Sequence, residues 1–572
     1  MSEMRKVDEV TLEIAGNLLL SIAEEMGVAL IRSAYSTNIK ERRDISTAVF
    51  DPKGNMVAQA EHVPMHLGSL LGIIKVVLER YGDALQPGDM FMANDPYGGG
   101  GTHLPDITIA APVFEDGKLI GWVANLAHHS DVGGKVPGST SGDADSIFQE
   151  GLKIPVVRVM EAGKTDLDIL HFVMANSRLP DERYGDLQAQ LAANRIGIRR
   201  LKEAYARFGD DLVDSMYALQ DYAERRLRAG IAELPDGTYT FTDYMDDGGV
   251  ASPDPITITV SLTIKGDSIL FDFSGTHPQV EGPINVTYNG LLATVFYALK
   301  AFVDPDIPSN AGIYRVIEVK AEEGSIINCT NPAPVGARID TCMRVADVIF
   351  GAFAQVAPDR AIAGCNSSCT TAIFSGSDPH DPSRFYVYLE TIAGGAGASA
   401  ANDGLSGVQV HMTNTSNLPV EALEMEYPYL EVLEYSLIPD SGGAGKTRGG
   451  LVILRRFEIK QDNILYTGLG DRQVFPPWGL NGGQHGSGGR YEIIRADGTT
   501  EHPPSKVTNV VLNKGDLVSV YTPGAGGYGP PKERDRERVL VDVIEGRVSP
   551  ESAKEIYGVD VTSEVEAQTC TG

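Results

Sequence analysis

The chain has 572 residues, too many for one hydrophobic core, and at about 150 residues per domain it divides into three or four. It carries 77 acidic against 48 basic residues, a net charge of -29, with no concentrated Lys/Arg run, which argues against nucleic acid as a partner. The cysteines, Cys329, Cys342, Cys365, Cys369 and Cys570, are odd in number and suggest no paired framework. Together with the lack of a signal peptide or an apolar run of about 18 residues, they point to a cytoplasmic protein with no membrane association and buried structural thiols.

Asp8 to Ser36 has apolar residues at helical spacing, including Leu12, Leu19, Ile22, Met26 and Leu30, and is expected to be a long packing helix. Glu41-Arg42-Arg43-Asp44 reads as a charged, solvated corner feeding a strand through Asp51, with a second strand after Gly54-Asn55. Its other reading is an arginine holding a neighbouring carboxylate ionised for a cation. His62 and His66 flank the start of an apolar helix, His66 to Tyr81, and are candidates to support a metal cleft.

The densest chemistry lies between Asn94 and Gly134. Glycines 98–101 permit close backbone approach, and His103, Asp106 and His128 follow among turn residues. Asp106 to Phe114 and Lys118 to His128 read as the strands of a hairpin. With a three-residue loop, Asp116-Gly117-Lys118, Asp106 falls opposite His128 on one face; with a two-residue Asp116-Gly117 loop the register slips and His128 moves to the other face. A metal site therefore requires the longer loop. Pro105 disfavours helix at Leu104, and a bend there swings His103 over the open end of the hairpin. Two imidazoles and a carboxylate suit zinc, manganese or iron(II). The competing reading is ordinary polar residues at strand ends.

Pro180 to Phe208 is a strongly polar helix with Arg183, Asp186, Gln188, Gln190 and Asn194, expected to face solvent or a neighbouring subunit. From Asp236 short alternating segments indicate antiparallel sheet, interrupted by helices over 290–302 and 338–356. Cys365 and Cys369 have metal-pair spacing without a second pair. The Asp440 to Gly450 stretch mimics a phosphate-binding loop, but Asp440 stands where that motif needs glycine and a strand follows, so nucleotide binding is not expected. The expected fold class is multidomain α+β: a mixed α/β metal-site part over 1–235, a β-rich part with two helices over 236–430, a β part over 431–530 and a helical tail over 531–572.

Glu41-Arg42-Arg43-Asp44, Asn94-Asp95-Pro96, Thr102-His103-Leu104-Pro105-Asp106, His128-His129-Ser130-Asp131, Glu150-Gly151-Leu152, Asn414-Thr415 with Pro419-Val420-Glu421, Asp440 to Gly445 and the Pro523 to Gly529 run resemble the hydantoinase B/oxoprolinase family in order along nearly the whole chain. The resemblance implies the B component of an ATP-dependent amidohydrolase acting on a hydantoin, 5-oxoproline or a lactam. It implies a separate A-type ATPase partner that holds ATP and Mg, in an A2B2 or larger assembly. It also implies one divalent metal ion, zinc ahead of manganese or iron, on His103, Asp106, His128 and, as a fourth ligand, Asp44. In the expected chemistry the metal lowers the pKa of its water from 15.7 to about 7 and supplies hydroxide to a carbonyl phosphorylated by the partner. Asp131 or Asp95 is expected to move a proton or orient a ligand imidazole. A ketone carboxylase component of the acetone or acetophenone type is the alternative, and a non-catalytic assembly component a second one.

Overall fold

The computed structural model describes residues 7–60 and 62–561, so Cys570 lies outside the described residues. Helix α1 (Glu9–Ser33) starts where the Asp8 carboxylate accepts the N–H groups of Val10 and Thr11. By length and composition α1 is apolar enough to cross a membrane, which corrects the expectation that no such run exists. Its buried side, with Ala15, Leu19, Ile22, Met26 and Leu30, packs within the protein against a later helix and the first strand.

After the one-turn α2 (Thr37–Lys40) come β1 (Ile45–Phe50), β2 (Met56–Gln59), α3 (His66–Tyr81), β3 (Met90–Ala93), β4 (Asp106–Glu115), β5 (Lys118–His128), β6 (Val157–Glu161) and β7 (Lys164–Thr165). These strands form one antiparallel sheet in the order β2-β1-β5-β4-β3-β6-β7. The chain continues through α4 (Leu167–Ala175), α5 (Pro180–Phe208) and α6 (Asp210–Ala232). One face of the sheet buries Ile107, Ile109 and Val113 against α1, α5 and α6; the other buries Phe50, Ala124 and Leu126 in a core shared with α3, α7 (Tyr288–Val303) and α8 (Arg338–Val356).

The hairpin between β4 and β5 turns differently from the expectation. Glu115 pairs with Lys118, so the loop is the two-residue Asp116-Gly117, with positive φ at both positions (48° and 75°), as a type I′ turn requires. That loop alone would carry His128 to the wrong face. The register shifts between Val113, which pairs with Gly121, and Phe114, which pairs with Leu119. Ile120 is thus an extra residue, a β-bulge, and it restores Asp106 opposite His128. Gly121 beside it lies where a Cβ would come within 2.7 Å of the Phe50 carbonyl oxygen of the adjoining β1.

Helix α5 also differs from its expectation. Arg183, Asp186, Gln190 and Asn194 are all buried instead of facing water: Asp186, paired with Arg183, accepts the N–H groups of Tyr35 and Ser36, while Gln190 and Asn194 clamp the hairpin. The Gln190 Nε2 donates to Ile107 O (2.8 Å) and Asn125 Oδ1 (3.0 Å), and Asn194 Nδ2 donates to Ile109 O (2.9 Å). Asn125 Nδ2 returns hydrogen bonds to Gln190 O and Asn194 Oδ1. The polar side is polar because it satisfies groups that have no access to water.

Beyond residue 235 the antiparallel strands Gly237–Met245, Ile256–Lys265 and Ser268–Asp272 are extended by Ile317–Lys320, which runs parallel to the third. Helix α8 packs on this sheet. Three further sheets, of four, two and five strands, occupy residues 371–521, followed by helices Arg536–Ile544 and Pro550–Glu555, started by Asp535 and Ser549. The fold is multidomain-sized α+β, as the sequence suggests. A Gln190→Ala chain leaves the hairpin amides unpaired and is expected to lose about 2–4 kcal/mol, read as a lower apparent melting midpoint; an unchanged midpoint would show that the clamp is dispensable.

Candidate metal centre

The order β1-β5-β4 puts three strand ends side by side. Ile45 pairs with Ala127 and the His128 N–H donates to Asp44 O (3.0 Å), so Asp44 continues the β1–β5 ladder opposite His128, which in turn pairs with Asp106. The three side chains form a row across the sheet on the face toward α3 and α8. His103 joins them through a turn closed by the Asp106 N–H on His103 O (3.2 Å), which sets His103 Nε2 3.2 Å from Asp106 Oδ1. Ligand atoms of His103, Asp106 and His128 all lie within 4.8 Å of one another. Asp44 lines the same cavity, of about 70 Å³, with its Oδ1 3.5 Å from His66 Nε2.

The electrostatics fit a cation. Burial pushes the His128 imidazole down to about 3, and burial with the Arg338 guanidinium also lowers His103, so both rings are neutral at neutral pH. Burial alone would raise the Asp106 carboxyl, but the Arg338 guanidinium, donating to its Oδ2, holds it well below the ordinary carboxylate range. Neutral imidazoles and an ionised carboxylate are the protonation states a metal requires. Gly336 O, an acceptor only, lies 3.0 Å from His103 Nδ1 and assigns the ring proton to that nitrogen. His103 Nε2 then presents a lone pair to the Asp106 oxygen, and a positive ion between the two satisfies both.

His66, at the first position of α3, stands within the cluster: its Nε2 is 3.8 Å from Asp106 Oδ1 and its Nδ1 3.0 Å from Ser46 Oγ, whose own hydrogen goes to Ile45 O. His62 is not among the cavity-lining residues. Asp131 and Asp95 are not brought to the cluster. Asp131 accepts from Gly133 N, Gly138 N, Arg178 N and Arg178 NH1, and so ties down the loop after β5. Asp95 accepts from Tyr97 N and lies 3.4 Å from Lys153 Nζ, organising the glycine loop.

Arg42 is buried rather than solvated, correcting the reading of a charged corner. It donates to Asn38 Oδ1 (2.5 Å), Leu389 O and Thr391 Oγ1, joining the loop before β1 to a distant strand. Asn38 in turn donates to His128 O (2.8 Å). Two cavity residues escape the sequence reading. Arg338 donates to Thr102 Oγ1 (2.9 Å) and Asp106 Oδ2 (2.7 Å). Asp340, pushed up to about 7 by burial and by Asp471, accepts from Cys369 N (2.7 Å). Both lie more than 200 residues from the hairpin, and their one sequence signal is charge at the start of an otherwise apolar helix.

The hydantoinase B/oxoprolinase family model matches residues 8–531, and the chain belongs to that family. It is 40% identical over 560 residues to an uncharacterized protein of Methanocaldococcus jannaschii, covering 97% of this chain and 96% of the relative. It is 34% identical to the B component of a putative D-/L-hydantoinase from a Pseudomonas species, covering 99% and 97%. The crystal structure of the ATP-dependent caprolactamase from Pseudomonas jessenii superposes with a TM-score of 0.89 at 31% identity over 98% of both chains. Nucleotide-free acetone carboxylase shares the fold, with a TM-score of 0.90 at 20% identity over all of this chain and 84% of that one.

The folded metal-free chain resists protonating His128, whereas the unfolded chain takes up protons near its ordinary value of 6.5. Stability is therefore expected to fall as pH drops from about 6.5 toward about 3, and His128→Gln should flatten that slope in acid-unfolding titrations.

Proposed function

We propose that the chain is the metal-holding B component of an ATP-dependent cyclic amidohydrolase. It opens a hydantoin, 5-oxoproline or lactam ring whose carbonyl a separate A-type partner phosphorylates with ATP and Mg. The observation that carries this reading is the convergence of His103, Asp106 and His128 on one point beside a cavity lined by His103, His128 and Asp44, in a chain that aligns nearly end to end with a hydantoinase B component and with caprolactamase. A divalent ion on these four residues, zinc ahead of manganese or iron, supplies Lewis-acid activation of water at neutral pH.

The chain's own residues do the remaining work. His66 has its Nδ1 proton engaged by Ser46 and offers the Nε2 lone pair toward the cluster, where it takes a proton from the attacking water. Arg338 keeps Asp106 ionised and places a fixed positive charge beside the cavity, where it stabilises the anionic phosphoryl group carried by the tetrahedral addition intermediate. Asp340 carries a proton near neutrality and delivers it to the ring nitrogen as the C–N bond breaks. Val63, Met65, Leu389 and Leu469 line the same cavity with apolar surface and limit water to the reacting molecule.

In the purified complex, His103→Ala is expected to lose bound metal, measured by elemental analysis, and to lower ATP-dependent ring opening more than about 100-fold. Full turnover in that variant would refute the assignment. Asp340→Asn is expected to keep its metal, to lose about 100-fold in kcat and to abolish the decline in rate above about pH 7 that a required acid imposes. Dependence of ATP turnover on bicarbonate, with no lactam opened, would instead indicate a ketone carboxylase.

A further inference from the structure

A second group of ligand-type side chains lies away from the cavity just described. Asp347 projects from α8, Cys365 follows in the irregular segment after that helix, and His411 sits in a turn. The three come from separate stretches, are all buried, and place their ligand atoms within 4.8 Å of one another. Cys365 and His411 line a cavity of about 750 Å³, together with Tyr297, Gln409 and Tyr435.

The contacts repeat those of the first centre. There His103 Nε2 faces Asp106 Oδ1 at 3.2 Å; here His411 Nε2 faces Asp347 Oδ1 at 2.9 Å. Two ligands of a tetrahedral zinc ion at 2.0–2.1 Å stand about 3.4 Å apart, so each pair needs only a small adjustment to share an ion. The supporting hydrogen bonds are those a ligand set uses. Arg472 holds the other Asp347 oxygen, Tyr297 OH stands 3.4 Å from His411 Nδ1, and the Gly397 N–H donates to Cys365 Sγ at 3.2 Å.

The donor atoms are of mixed type, a carboxylate oxygen, a sulfur and an imidazole nitrogen, and they converge on one point. His411 also has a left-handed backbone, with φ 53°, a cost that non-glycine residues bear where the surrounding structure fixes a side chain. The Cys-x-x-x-Cys spacing is incidental here, because Cys369 turns to the first cavity while Cys365 meets an aspartate and a histidine.

We infer that Asp347, Cys365 and His411 form a second, sulfur-containing metal site that takes a borderline-soft divalent ion of the zinc class and leaves its fourth position open to the adjoining cavity. Binding displaces the proton between His411 and Asp347 and the thiol proton of Cys365 to solvent, so two protons leave as one divalent ion enters.

The test is cobalt(II) substitution of the metal-free full-length chain, followed by near-ultraviolet absorption, X-ray absorption and elemental analysis. None of the four ligand residues of the first centre carries sulfur, but Cys369 lines its cavity, so a sulfur-to-cobalt charge-transfer band is assigned to the second site by its loss in Cys365→Ser and its survival in Asp106→Ala. The expected result is that band, a cobalt–sulfur distance of about 2.3 Å, and about twice the metal per chain of a one-site protein. Cys365→Ser should remove the band and half the metal, and His411→Gln should weaken both; Asp106→Ala should keep the band while emptying the first centre. Absence of sulfur coordination in the wild-type chain, survival of the band in Cys365→Ser, or alkylation of Cys365 by iodoacetamide at a rate indifferent to added zinc would overturn the inference. Because Asp106→Ala acts only on the first centre, the failure of one site is distinguishable from that of the other.

Discussion

Asp44, His128 and Asp106 can meet one cation because they occupy one row across three adjacent strands, and that row depends on the register of the β4–β5 hairpin. In a pleated sheet a slip of one residue exchanges faces, so the two-residue turn at Asp116-Gly117 and the extra residue Ile120 must occur together. The buried amides of Gln190, Asn194 and Asn125 then lock that register, since sliding the strands would strand several donors and acceptors away from water.

The same economy governs the charges. The chain as a whole is strongly acidic, yet its interior holds several arginines, each with a partner: Arg338 with Asp106, Arg344 with Asp471, Arg472 with Asp347 and Arg455 with Glu390. Removing one member of such a pair leaves a buried charge uncompensated, which is far more costly than the pair itself is stabilising. Arg338 and Arg472 each hold a carboxylate that also faces a histidine, so these pairs keep an anionic oxygen fixed in place at each candidate centre.

Much of the local chemistry is legible in the sequence because hairpins are local. His103, Asp106 and His128 fall within 26 positions, and strand alternation relates them without knowledge of the rest of the chain. Asp44 is ranked from the residues only as the second reading of a charged corner and becomes a ligand through the family resemblance, since pairing β1 beside β5 is a long-range event that spacing does not encode. The turn escapes because a bulge leaves no mark beyond a glycine at 121. The α5 helix and Arg42 read as solvated because polarity in sequence does not distinguish water from a buried amide as the partner. Arg338, Asp340 and the meeting of Cys365 with His411 are out of reach for a related reason: tertiary packing brings them together from distant segments.

The walls of the first cavity run from Asp44 to Leu469, and Arg42 is tied to Leu389 and Thr391. During synthesis on a ribosome the hairpin therefore emerges long before the residues that enclose it. For most of translation the nascent chain offers an open, shallow cluster of histidines and carboxylates to whatever ions and chaperones surround it. Enclosure comes only after some four-fifths of the polypeptide has been made, so any shortened product ending before Leu469 carries the hairpin without the complete chamber.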